Sequence, residues 1–165
     1  NLNIFYLSKN TKSCAKMHVD KHCVKMILEY AQLLCTAHRV IDNNQSNDLY
    51  KATHINHPSA VWARHSIANY KWLYKMMLSL LDEYSYRYGK IHATARLVPI
   101  LKHVPNIINK EFTEPTPAMP EQYKISNDSI TSYKNYYLGE KSHMFAWKKR
   151  RKPNWVTCIK TEASK

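Results

Sequence analysis

Two glycines in 165 residues, Gly89 and Gly139, constrain this chain more than any other feature. An all-β sandwich or barrel turns sharply about every 8–12 residues, and glycine supplies the positive φ that many of those turns require. Helices must therefore dominate. The stripe Val24, Ile27, Ala31, Leu34, Ile41 is apolar at helical spacing and reads as core. His18, His22, Lys25, Glu29 and Gln32, at i, i+4, i+7, i+11 and i+14, share the other face of that same helix.

Capping and breaking residues place the remaining elements. Ser8 to Thr11 offers a cap for a first helix over about 11–41, preceded by an apolar extended segment at 3–7. A polar loop at 42–47 leads to Pro58, which suits the first turn of a second helix over about 58–88, with Trp62, Leu73, Met76, Leu80 and Tyr84 as its core and Gly89 as its stop. A short helix is expected near 93–103, limited by Pro99 and Pro105, and an extended connection at 111–120, which holds Pro115, Pro117 and Pro120. Ser126, Asn127 and Asp128 can cap a third main helix over about 128–146. The expectation is one all-α domain spanning 1–165, with about three main helices and a basic, aromatic C-terminal segment.

Charge narrows the partners. The 25 Lys and Arg against 12 Asp and Glu give a net charge of +13, which favours a polyanion, and nucleic acid first among them. Five consecutive cations, Lys148, Lys149, Arg150, Arg151 and Lys152, lie between Trp147 and Trp155, the pairing of phosphate contacts with stacking surfaces that nucleic-acid binding uses. A solvated basic tail is the plain alternative. Cys14, Cys23, Cys35 and Cys158 form no disulfide framework, so reduced thiols in a cytoplasmic compartment are expected. No apolar run approaches the length that spans a bilayer, and the N-terminus has no signal-peptide pattern.

Glu29 is the chemical anomaly, since it interrupts the apolar run from Met26 to Ala31. A carboxylate there must be open to solvent, paired with a cation, or used for chemistry. Cys14, His18 and His22 suggest half a zinc site, but a straight helix spreads them over about 12 Å, too far for one ion to take all three. No activating pattern marks Cys14 or Cys23 as a nucleophile. A third reading joins Glu29 to an amine: the amine forms an imine with a sugar carbon, and the carboxylate manages protons. Lys21, Lys25 and the α-amine of Asn1 are the candidates, and the α-amine is favoured by its lower unperturbed pKa of about 8.

Asp20-Lys21-His22, then six residues, then Glu29 resembles the Asp-x-His-(six residues)-Glu signature of the pyrimidine-dimer DNA glycosylases of the phage endonuclease V type. His57-Pro58 with Trp62, then Pro120-x-x-Tyr123, Glu140-Lys141 and Lys152-Pro153-Asn154-Trp155 follow in the order of that family's later landmarks. The resemblance implies an all-α enzyme that flips a nucleotide from damaged double-stranded DNA, removes the base and nicks the backbone by β-elimination. It implies Glu29 as the catalytic carboxylate and Asn1 as the amine. His18, Lys21, His22 and Lys25 would contact DNA, as would Trp147, Lys148 to Lys152, and Trp155. No cofactor, no metal and no membrane are implied, and the protein is expected to act as a monomer. Leu28 and Gln32 stand where the family carries two arginines around its glutamate. A non-catalytic nucleic-acid-binding protein and a metal-dependent nuclease using the histidines are the alternative classes.

Overall fold

The first long helix is two helices. In a computed structural model that describes residues 2–156, α1 spans Thr11–Met17 and α2 spans Asp20–Ile41, with His18 and Val19 in extended conformation between them. Asn10 caps α1 by accepting the Ser13 amide. No proline or glycine ends it. The carbonyls that the break exposes are taken by a distant arginine: Arg87 donates through Nη1 to the His18 carbonyl at 2.8 Å and through Nη2 to that of Lys16 at 3.0 Å. Those bonds do for α1 what a C-cap does elsewhere.

The second long helix is also divided. Pro58–Ala63 forms α3, with His57 as N-cap, and α4 runs Ile67–Tyr88, capped by the Ser66 hydroxyl on the Asn69 amide. Asn69 is buried there and ties three segments together. Its Nδ2 donates to the Trp62 carbonyl and to Thr113 Oγ1, and its Oδ1 accepts the Thr113 amide. The 111–120 connection, extended as its prolines require, is thereby pinned across α3 and α4. Gly89 ends α4 in the left-handed region at φ 65°, where a β-carbon is disfavoured.

A 3-10 turn at Ala93–Leu97 leads into the single turn α5, Val98–Leu101, and α6 spans Ser129–Glu140. The third helix is therefore shorter than its pattern suggests, and the chain leaves it through a 3-10 turn at Ser142–Met144. Near its end Gly139 lets the Tyr123 ring approach closely; a β-carbon there would meet the tip of that ring and force it to move. The described residues contain no strand, and the fold is all-α. None of the helices is long and apolar enough to cross a membrane.

The core is α2 packed on α4, with α1, α3 and α6 around them and the segment 2–7 threaded through the middle. Phe5 stacks on His22 with centroids 4.2 Å apart, and the Phe5 amide donates to Tyr30 Oη. Ile27, Ala31 and Leu34 are buried as expected, but Val24 and Ile41 are exposed, because the buried arc of α2 centres on Cys23, Met26, Ile27, Tyr30 and Leu34. Cys14, Cys23 and Cys35 are buried free thiols; Cys158 lies outside the described residues.

His18 belongs to this core rather than to a DNA-facing surface, which corrects its assignment. It is wholly buried, Nδ1 lies 2.7 Å from the Cys14 carbonyl, and Nε2 lies 2.6 Å from Tyr30 Oη. Burial lowers its pKa from 6.5 to about 4. The unfolded chain binds the proton first, so stability is complete above about pH 6.5 and drains away as pH falls toward 4. His18 alone accounts for about 3 kcal/mol across that window at ~1.4 kcal/mol per pH unit, and His22, also depressed by burial, acts in the same direction. Urea titrations at pH 7 and pH 4.5 measure the loss. A midpoint unchanged between them would contradict buried neutral imidazoles.

Candidate functional site: a lysine-ringed cleft beside a buried carboxyl

The start of α2, the segment 2–7 and the end of α6 enclose a cleft of about 290 Å³. Phe5, Met26, Tyr136 and Met144 give it apolar walls, and Lys21, Lys25, Lys141 and His143 stand around it. His22 faces it with only 5% of its surface exposed. Burial, reinforced by the charges of His18, Lys141 and Lys25, pushes the His22 pKa down to about 2, so its ring is neutral at ordinary pH. Lys141 also sits 5.2 Å over the Tyr136 ring.

Glu29 lies one turn of α2 beyond Lys25. It is 7% exposed, and Lys25 Nζ approaches its Oε2 at 3.7 Å, an ion pair too long for a hydrogen bond. Oε2 is sealed from solvent and makes no hydrogen bond. Burial raises the carboxyl's pKa, opposed by the positive charges of Lys25 and His54. His54 occupies the left-handed region at φ 48°, strain that tends to persist where the surroundings over-determine a conformation. A nearby turn carries a second histidine, His57, whose Nδ1 accepts the Ser59 amide.

The helical stripe read from the sequence is thus partly assembled. Lys21, His22 and Lys25 converge on the cleft, and Glu29, which does not line it, is linked to it through its ion pair with Lys25. His18 does not join them. Asn1 lies outside the described residues, whereas Asn3 lines the cleft with its amide oxygen doubly engaged, accepting from the Ile4 amide and Tyr133 Oη, and one amide N–H donated to the Ala118 carbonyl. Cys14, part of the considered zinc half-site, donates its thiol to the Phe5 carbonyl. Among the described residues no group of three His, Cys, Asp or Glu side chains is placed to hold a metal ion.

The basic C-terminal run is folded down rather than free. Trp147 Nε1 donates to the Met17 carbonyl, and Trp155 packs 6.2 Å from the Tyr137 ring, so neither indole stands out as a bare stacking surface. Arg150 grips both oxygens of Glu83 at 3.0 and 2.9 Å while lying over the Tyr86 ring. Lys149 Nζ donates to the Tyr86 carbonyl, and Lys148 Nζ lies 5.2 Å over Tyr88. Arg151 and Lys152 are exposed. The Lys148 amide donates to Asp20 Oδ1 at 2.8 Å, which anchors the start of this run to the first residue of α2.

His143 and Tyr136 line the cleft without a mark in the sequence, and Lys141 is marked there only as half of the Glu140-Lys141 pair. Tyr136 lies in α6, and Lys141 and His143 follow it; none shares a periodicity with α2, so only tertiary packing brings them to the start of that helix. Comparisons with protein-family models, with curated proteins and with solved structures find no match.

Proposed function

We propose that this protein processes nucleic acid as a DNA glycosylase with associated abasic-site lyase activity on double-stranded DNA. One observation carries the reading: a buried carboxyl of raised pKa, Glu29, stands 3.7 Å from the amine of Lys25, one of the lysines that ring the cleft. The resemblance of the Asp20 to Glu29 segment to the pyrimidine-dimer glycosylases supports it. An amine attacks C1′ of the damaged nucleotide, the bond from C1′ to the base breaks, and the departing base takes a proton. O4′ then leaves C1′ with the proton that the amine gives up, opening the sugar to an imine that acidifies C2′; loss of the C2′ proton breaks the C3′–O bond and releases the phosphate attached there. Glu29, holding a proton more readily than a solvated carboxyl, suits both proton transfers. Lys21, Lys25 and Lys141 neutralise the phosphates around the reacting sugar.

Lys25 is the described amine nearest Glu29, and the α-amine of Asn1 is the competing nucleophile, favoured by its lower unperturbed pKa, which leaves more free base at neutral pH. Borohydride added to the protein on a duplex with one abasic site or one cyclobutane dimer, with chelator present, should yield a covalent protein–DNA band. Peptide mapping of that band identifies the amine. A second reading, a binding protein without chemistry, is favoured by the uncharged Leu28 and Gln32 beside Glu29. Tight, salt-sensitive binding with no trapped band on either duplex would sink the lyase and leave that reading.

A further inference from the structure

Tyr137 is fully buried, and two groups meet its hydroxyl. The Val19 amide donates to Oη at 3.3 Å, and His22 Nδ1 lies 2.7 Å away. Among the described residues no other hydrogen bond engages this hydroxyl, and no solvent reaches it. A phenol proton left without an acceptor there would cost about 1–3 kcal/mol, so the proton points at His22 Nδ1. Nδ1 then accepts, and a neutral imidazole with an accepting Nδ1 carries its hydrogen on Nε2.

His18 shows the opposite assignment by the same accounting. Its Nδ1 faces a carbonyl and must donate, so Nε2 accepts from Tyr30, whose oxygen in turn accepts the Phe5 amide. Two histidines four residues apart are locked in opposite tautomers by two buried tyrosines. His18 is spent inside the core. His22 keeps one ring nitrogen for the cleft: Nε2 makes no hydrogen bond among the described residues and is not one of the sealed, unpartnered polar atoms.

We infer that Tyr137 is a positioning residue that holds His22 as an Nε2–H donor for a phosphodiester oxygen seated among Lys21, Lys25 and Lys141. The cleft's free polar groups are donors and cations, since the amide of Asn3 is engaged elsewhere. Such a set recognises an anion with acceptor oxygens. Choosing a phosphodiester rests on the nucleic-acid reading above; the tautomer does not. A neutral donor also keeps its hydrogen bond unchanged where an imidazolium would titrate. The charged or titratable groups facing His22 are His18, Lys21, Lys25, Lys141, His143 and Tyr136.

Imidazole 1H–15N correlation spectra of the full chain, with the His22 signal assigned by its loss in His22→Gln, test the tautomer directly. From pH 5 to 7 the ring should remain neutral with hydrogen on Nε2, and in Tyr137→Phe the Nδ1–H form should appear. Chemical-shift titration with thymidylyl-(3′→5′)-thymidine, whose diester does not titrate in this range, reads the ligand. In a His143→Gln background its affinity should stay constant from pH 5 to 7 and fall at least fivefold with Tyr137→Phe. A wild-type His22 that is charged or carries its hydrogen on Nδ1 overturns the inference, even if Tyr137→Phe does not fold. The expected tautomer without binding of the dinucleotide, or with binding indifferent to Tyr137→Phe, overturns the assigned ligand. Imine trapping, which does not involve Tyr137, still decides the lyase separately.

Discussion

Arg87→Met should destabilise the fold by about 3–5 kcal/mol, the usual cost of removing one partner from a buried charge network. The guanidinium is only 1% exposed and serves three elements at once. Nε donates to Glu83 at 2.8 Å, Nη1 to Asp20 Oδ1 at 3.0 Å, and Nη1 and Nη2 to the carbonyls that end α1. Methionine would fill the volume and leave Glu83 with Arg150 alone and the α1 carbonyls without donors. Glu83 is held below its ordinary pKa by bonds to Arg150 and Arg87, despite burial acting the other way. Its ionised form therefore depends on them. Arg150→Ala is the contrasting case, since that side chain is 28% exposed and water can replace part of what is lost; about 1 kcal/mol or less is expected. Urea unfolding of the two variants measures the contrast. A loss below 1 kcal/mol for Arg87→Met would show that the network does not hold the break between α1 and α2.

That break explains why a sequence could predict the fold class and miss the geometry. Pro58, Gly89 and the cap at Asp128 act within a few residues, and they mark the start of α3, the end of α4 and the start of α6. Nothing local marks His18 and Val19 as a corner, because the donors that stabilise it come from Arg87, 69 residues further along. One consequence is that His18 turns inward while His22, Lys25 and Glu29 remain together on α2. The second break had a local signal, Ser66 three residues before Asn69, but the apolar spacing around it runs on as though the helix were continuous. The cationic run at 148–152 is legible as charge and not as structure. Tyr86, Tyr88 and Glu83, which hold its first three members down, belong to a helix that the sequence places far away. Of the site, Glu29 was visible because a lone carboxylate in an apolar run is costly wherever it packs. His143 carried no such mark, and Lys141 only its place in the Glu140-Lys141 pair.

Glu29→Gln should separate stability from function. The ionised carboxyl has one sealed oxygen with no hydrogen bond, and burial disfavours its charge, so the wild-type residue costs the fold something at neutral pH. Glutamine keeps the shape and removes the charge. The melting temperature should therefore hold or rise, the pattern expected where a residue is kept for activity at the expense of stability. Strand scission at an abasic site, followed in single turnover, should slow by about 10²–10⁴-fold, the contribution of a positioned acid–base group. Duplex affinity at fixed salt should change little, since the lysines proposed to meet phosphate are untouched. Scission within threefold of wild type would remove Glu29 from the chemistry. A parallel fall in melting temperature would instead mark it as a structural partner of Lys25, and the raised pKa as a by-product of packing. Only a stable, binding-competent protein that no longer cuts fits a carboxyl held in place to move protons.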